Sequence, residues 1–208
     1  MKDSGDRFPL LLYRRAVTRH RRTAFALAIL LLSLWALVSR GAVDWPRPPA
    51  DAWLLSGGVV ALAYGFFTLV APSLAYAQPQ SDHLRLQTPI YRLKISYRRI
   101  QATRPVDVAR TFPPSSLRSG DRALLAPFYG RTALGIDLTE MPLPVGVLRL
   151  FFSRPFFAPD MTGMLLVVDD WMAFSHQLTS RLDAWRQTRQ ERARRPGSAA
   201  GRFLEDDR

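Results

Sequence analysis

The chain has 208 residues, 48% of them apolar, and its 29 Lys and Arg against 17 Asp and Glu give a formal net charge of +12. That length fits one small domain with added segments, not two large domains. The lack of cysteine excludes a disulfide framework, a thiolate nucleophile, Cys-ligated zinc and an Fe–S cluster.

Residues 1–22 carry seven Lys and Arg. Within them the apolar FPLLLY at 8–13 precedes RRAVTRHRR, whose Arg14, Arg15, Arg19, Arg21 and Arg22 are candidate contacts for anionic lipid or a partner. The pair predicts a basic juxtamembrane segment lying on a membrane surface; the competing reading is a plain topology signal with no lipid role. Residues 23–39 contain no Asp, Glu, Lys or Arg, and as a helix they would span about 25 Å, near the short limit for a hydrocarbon core. A connector over 40–51 follows, in which Pro46, Pro48 and Pro49 block a helix, while Trp45 and Trp53 suit the headgroup layer. The second uncharged run is 53–77. Pro72 is expected to kink it, and the part before the proline is about 28 Å long.

Two such runs predict a transmembrane hairpin over 23–77, and a wholly soluble chain is disfavoured. The connector holds only Arg40 and Arg47, whereas residues 78–208 hold twenty Lys and Arg. The positive-inside rule therefore puts both termini in the cytoplasm of an inner (plasma) membrane protein. Buried helices of a soluble domain are one alternative. Signal cleavage after Ala75-Tyr76-Ala77 is another, disfavoured because Asp51, not a basic residue, precedes that run. Ser56, Gly57, Ala61 and Gly65 form a small-residue stripe for packing on the first helix or, less favoured, on another copy. No ionisable side chain marks either span as an ion or proton pathway.

Beyond residue 77, apolar residues alternate at Leu84 and Leu86; Leu93, Ile95 and Tyr97; Val106 and Val108; Leu134, Ile136 and Leu138; and Leu148, Leu150 and Phe152. Period two predicts half-buried strands in an antiparallel sheet or barrel. Turns are expected at Arg104-Pro105, Pro113-Pro114-Ser115-Ser116, Ser119-Gly120-Asp121, Met141 to Pro144 and Ala158-Pro159-Asp160. A third span over 143–168 fails, because Arg149, Arg154 and Asp160 would each cost about 2.5–3.5 kcal/mol near its centre. After a last strand over 164–168, Asp169 and Asp170 cap a helix whose stripe is Trp171, Phe174, Leu178, Leu182 and Trp185. The folded domain is expected over 81–192, with a disordered tail over 193–208.

Short strands closed by one amphipathic helix, behind two membrane helices, resemble the bacterial PH-like (pleckstrin-homology-like) membrane proteins. The segments TPIYRLKISYRRI at 88–100 and DDWMAFSHQLTSRLDAW at 169–185 carry the similarity. The resemblance implies an α+β domain, a PH-like antiparallel β-barrel or sandwich capped by its C-terminal helix, with Trp171, Phe174, Leu178, Leu182 and Trp185 as the plug. No basic phosphoinositide signature accompanies it, so headgroup recognition is not carried over.

Chemistry is sparse. His20, His83 and His176 fit no metal-ligand spacing, so no metal or other cofactor is expected. His176 with Asp169, Asp170 or Ser175 cannot converge as a triad along one helix. Glu205, Asp206 and Asp207 read as a solvated tail. Alternation places Arg92, Lys94 and Arg98 on the face opposite Leu93, Ile95 and Tyr97, a basic sheet surface for anionic headgroups or simply for solvent. The aromatics follow core alternation, so nucleic acid is not expected. The leading expectation is a non-enzymatic membrane protein serving assembly or membrane-proximal interaction, its partners being lipids and either another copy or another membrane protein. A membrane-tethered enzyme built around His83, Tyr129 or His176, and an accessory subunit of a larger complex, are the alternatives.

Overall fold

The computed structural model describes residues 5–41, 50–157 and 162–194. The expected turns at Trp45 to Pro49 and at Ala158-Pro159-Asp160, and the tail beyond 194, lie outside these residues.

The N-terminal segment forms a short strand, β1 (Phe8–Pro9), and a helix, α1 (Leu11–Thr18). Next come α2 (Arg21–Ser39) and α3 (Ala50–Val70), which run against each other and are each long and apolar enough to cross a membrane. Most large apolar side chains on their outer faces are exposed, among them Ile29, Leu30, Val60 and Phe66. Their mutual contact is built from small residues. Added side-chain carbons at Gly57, Gly58 and Gly65 would come within 3.3, 2.7 and 2.9 Å of Leu31, Leu32 and Phe25 respectively. The small-residue stripe thus packs within the chain, and it includes Gly58 as well. Gly58→Val is expected to force the helices apart at a cost of about 1–3 kcal/mol, the usual scale of overpacking, read as a lower unfolding midpoint of the full chain in detergent.

The helix α3 is shorter than its apolar run. Pro72 has no N–H to donate, and the chain tightens into a 3-10 turn over Ala71–Leu74 before leaving as a strand. Two antiparallel sheets follow. The first has the order β1-β2-β3-β4, with β2 (Tyr76–Pro79), β3 (His83–Gln87) and β4 (Arg92–Ser96). The second has the order β5-β6-β7, with β5 (Ile100–Asp107), β6 (Thr132–Leu138) and β7 (Gly163–Leu166). Together with the helices they make an α+β fold, and among the described residues neither sheet closes on itself. Arg104 and Pro105, expected to turn, instead lie within β5, and Pro105 is accommodated because β5 is an edge strand.

Three expected strand assignments differ from the structure. Tyr97 lies past the end of β4 in a 3-10 turn, where it is buried and its phenol donates to the Gln80 carbonyl. Burial, the largest influence on that phenol, pushes its pKa above the ordinary tyrosine range. Val108 begins a short helix, α4 (Val108–Thr111), because the Asp107 carboxylate accepts the Ala109 N–H at 2.7 Å and caps it. Leu148, Leu150 and Phe152 belong not to a strand but to the helix α6 (Val145–Phe151) and its cap; Leu148 is buried and Leu150 is 80% exposed. In a run this short, period two and one helical turn offer the same few apolar positions.

The helix α5 (Ser119–Leu125) lies in the β5–β6 connection, and Ser119, Gly120 and Asp121, expected to turn, form its first turn, where Asp121 suits the positive end of the helix. The chain's longest described helix, α7 (Trp171–Arg194), starts where the Asp170 carboxylate accepts the Ala173 N–H at 2.9 Å. One core joins Leu10 and Leu12, the sheet residues Leu84, Leu86, Ile95, Leu134 and Ile136, and Phe174 and Leu178 of α7.

Candidate functional site

The segment ahead of the first apolar helix is tied to the strand that follows the second. Phe8 pairs with Ala77 and Pro9 with Tyr76. The backbone N–H groups of Gly5, Leu10 and Leu11 donate to the carbonyls of Pro79, Ala75 and Val167 at 3.1, 3.1 and 3.0 Å. Gln78 donates to the Gly5 carbonyl at 2.7 Å, and Gln177 of α7 both accepts from the Asp6 N–H and donates to its carboxylate. Leu10 and Leu12 are fully buried. The segment 8–13, expected to lie on a membrane surface, is therefore part of the folded core. Gly5 is required by close approach, since a side chain there would sit 2.5 Å from the Pro79 carbonyl oxygen. Ala75 and Ala77, flanking the cleavage-like Tyr76, are buried in the same contacts.

The first sheet buries Ala77, Leu84, Leu86, Leu93 and Ile95 and turns Tyr76, Arg85, Gln87, Arg92 and Lys94 to its outer face, where Gln78 is covered by the Gly5 segment. On that outer face a basic cluster is assembled from three separate segments. The Arg7 guanidinium lies 4.9 Å from the Tyr76 ring centre and that of Arg85 lies 5.8 Å from it. The Gln87 amide oxygen accepts from Arg85 Nη2 at 2.8 Å and from Arg92 Nε at 2.8 Å. Lys94 stands directly across from Arg85, a like-charge pairing that an anion would relieve. Ring faces and a neutral amide hold these arginines, and among the described residues no carboxylate pairs with Arg7, Arg85 or Arg92. Arg14 joins Arg7 and Tyr76 around a depression of about 380 Å³ that reaches Leu69, Pro72 and Ser73. The cluster has donors arranged for an anion with several oxygens, such as a phosphate.

Of the expected contact residues, Arg92 and Lys94 lie in this cluster and Arg14 borders it. Arg98 does not, because β4 ends at Ser96 and the 3-10 turn places Arg98 at the opposite end of the strand. Arg15, Arg21 and Arg22 are exposed on α1 and α2. Arg19 instead reaches α5, donating to the Gly120 carbonyl at 2.9 Å. Arg85 and Gln87 were legible in the alternation around Leu84 and Leu86. Arg7 was not, since nothing local announces that residues 8 and 77 pair.

On α7, Phe174, Leu178 and Leu182 are buried, and Trp171 and Trp185 pack partly buried at the margin of the core. Trp185 meets Tyr97 edge to face with ring centres 6.3 Å apart. The three residues of the enzymatic alternative are dispersed. His83 opens β3, its Nδ1 2.6 Å from the Asp82 carboxylate and its Nε2 buried without a partner. Tyr129 follows α5, its hydroxyl buried without a partner. His176 is exposed on α7 beside Asp6 and Ser180. A separate pocket of about 620 Å³ lies between the β5–β6 connection and α6, with Phe112, Met141 and Phe157 beside Asp121, Arg149 and Arg154. Among the described residues no three His, Asp or Glu side chains gather as metal ligands. No protein-family model matches the chain, and no curated protein or solved structure does either.

Proposed function

We propose that this chain is a non-enzymatic integral membrane protein of two spans, α2 and α3, with both termini on the cytoplasmic side. The strands β1–β7 and the helix α7 form a PH-like domain that works at the membrane surface by binding anionic lipid headgroups and by assembly with another membrane protein or copy. The observation that carries this reading is the pairing of Phe8 and Pro9 with Ala77 and Tyr76 across the hairpin. Chain ends joined in one sheet require an even number of crossings between them. The exposure of the apolar faces of α2 and α3 argues in the same direction, because a helix of a soluble core would bury them. Two antiparallel sheets followed by a helix that buries Phe174, Leu178 and Leu182 support the PH-like layout.

The headgroup role follows from chemistry and position. Arg7 and Arg85 lie over Tyr76, two residues past the turn that ends α3, and Arg92 is held by Gln87, the ladder partner of Tyr76. Guanidinium groups at that height meet lipid phosphates, and each near-surface charge contributes about 1 kcal/mol toward an anionic leaflet.

A compartment-sensitive reporter placed after Pro48 is expected on the outer side, and one after Arg208 on the inner side, in a product of full mass. Reporters on one side together, or a product cut after Ala77, would refute the hairpin. Replacing Arg7, Arg85 and Arg92 together with glutamine is expected to weaken retention of anionic over zwitterionic phospholipid by about two orders of magnitude, from three contributions of about 1 kcal/mol. Native mass spectrometry of the full chain measures it, and unchanged lipid selectivity would remove the headgroup role.

A further inference from the structure

Among the described residues, large apolar side chains that are strongly exposed outside the hairpin and its 3-10 extension are few: Ile90, Val147, Leu150 and Met172. Three of them come together at one end of the domain. The strand β2 starts at Tyr76, two residues past the 3-10 turn that ends α3. Tyr76 pairs with Gln87, and Gln87 pairs with Arg92. In an antiparallel ladder the residues after Gln87 stand abreast of those before Tyr76. The β3–β4 turn therefore lies beside Leu74 and Ala75, where the chain leaves α3.

That turn is fixed. Thr88 Oγ1 accepts the Tyr91 N–H at 3.0 Å and donates to the Tyr91 carbonyl at 2.9 Å, which leaves Pro89 and Ile90 at the tip, with Ile90 71% exposed. The Tyr91 ring stacks on Phe151 of α6, with ring centres 4.4 Å apart and planes 17° from parallel. This stack holds the end of α6 against the same turn. Next to Phe151, Leu150 is 80% exposed, and Val147 one helical turn earlier is 41% exposed. Exposed Arg92 and Arg149 flank the apolar residues.

We infer that Ile90, Val147 and Leu150 form an apolar rim that dips into the headgroup–acyl boundary of the membrane crossed by α2 and α3. The inference rests on the hairpin proposed above. The occupant of this surface is lipid, for three reasons. The sheet register sets the Ile90 turn beside the exposed Leu74, and the Tyr91–Phe151 stack brings α6 to that turn, so the rim adjoins the end of the hairpin's apolar band. Arginines at its edge match anionic headgroups. The residues belong to a tight turn and a short helix pinned by a ring stack, so immersing them orders little additional chain. The rim gives the domain a third point of attachment beside the two spans, fixing its tilt so that the arginines around Tyr76 face the phosphates.

A chain without cysteine allows a direct test by single labelling. Ile90→Cys, Leu150→Cys, Leu30→Cys in α2 and Ser96→Cys at the far end of β4 are each labelled with a polarity-sensitive fluorophore. The full chain is reconstituted in vesicles of mixed zwitterionic and anionic phospholipid. Labels at 90 and 150 are expected to resist iodide several-fold better than that at 96 and to be quenched by lipid spin-labelled near the headgroup. The label at 30 is expected to be quenched by lipid spin-labelled deep in the chain. Iodide access at 90 and 150 equal to that at 96, with 30 still in lipid, overturns the rim and leaves the hairpin standing. Protection from iodide without quenching by spin-labelled lipid also overturns it, and assigns the surface to a protein. Iodide access at 30 equal to that at 96 refutes the hairpin, and the rim with it.

Discussion

Replacing Phe174 with alanine is expected to destabilise the domain by about 3–5 kcal/mol, the range found when a fully buried phenylalanine is emptied. Phe174 has no exposed surface. Its ring centre lies 5.0 Å from that of Phe8, so the truncation both leaves a cavity under α7 and removes the partner that holds β1. Domains of this size have only about 5–15 kcal/mol of stability in total, so the variant should unfold its sheets at much lower denaturant concentration. The helical hairpin has its own packing and should keep its helical signal. Chemical unfolding of the full chain in detergent, followed by near-ultraviolet circular dichroism, measures the change. Met172→Ala, two residues away and 64% exposed, is the reference and should change stability by less than about 0.5 kcal/mol. Similar losses at both positions would mean that the burial of Phe174 described above is wrong.

The second large effect is expected at Gly163, the first residue of β7. A side-chain carbon there would stand 2.0 Å from the Ile136 carbonyl oxygen and 3.2 Å from the Asp137 Cα. Both obstacles are backbone of β6, the central strand of the second sheet, so no rotamer change relieves the clash. Gly163→Ala must separate β6 from β7 at their paired end, where Asp137 faces Gly163 and the Leu138 N–H donates to the Thr162 carbonyl at 2.7 Å. The cost is expected at about 3 kcal/mol or more, in the tail of single-substitution effects. Gly130 provides the contrast. It has φ +81° and open space around it, so Gly130→Ala meets only the left-handed backbone penalty of about 1–2 kcal/mol. The ranking of the two variants by unfolding midpoint separates steric exclusion from backbone strain, and a larger loss at Gly130 would contradict the close approach of β6 and β7.

These sites differ in how far they could be read beforehand. Phe174 belongs to an apolar stripe with Leu178 and Leu182, and that spacing already turned it inward. Gly163 carried no such sign, because the Ile136 carbonyl that requires glycine comes from a strand far away in sequence. The basic cluster divides in the same way. Arg85, Gln87, Arg92 and Lys94 are outward positions of alternating strands, whereas Arg7 reaches Tyr76 only because β1 pairs with β2. Arg98 failed for a local reason: alternation holds only while the backbone stays extended, and β4 ends at Ser96.

The sequence by itself determined the two long apolar helices, the alternation of most strands, the stripe and cap of α7 and the small-residue contact of the hairpin. Each of these depends on intrinsic hydropathy or on residues within one or two turns of each other. Only the tertiary structure decided that residues 5–13 belong to the core, that the run through Leu148, Leu150 and Phe152 is helical, and that the turn carrying Ile90 is held against α6 by the stack of Tyr91 on Phe151. Those features depend on which distant backbone groups hydrogen-bond to one another. A short segment with several acceptable local conformations takes the one that its long-range partners stabilise most.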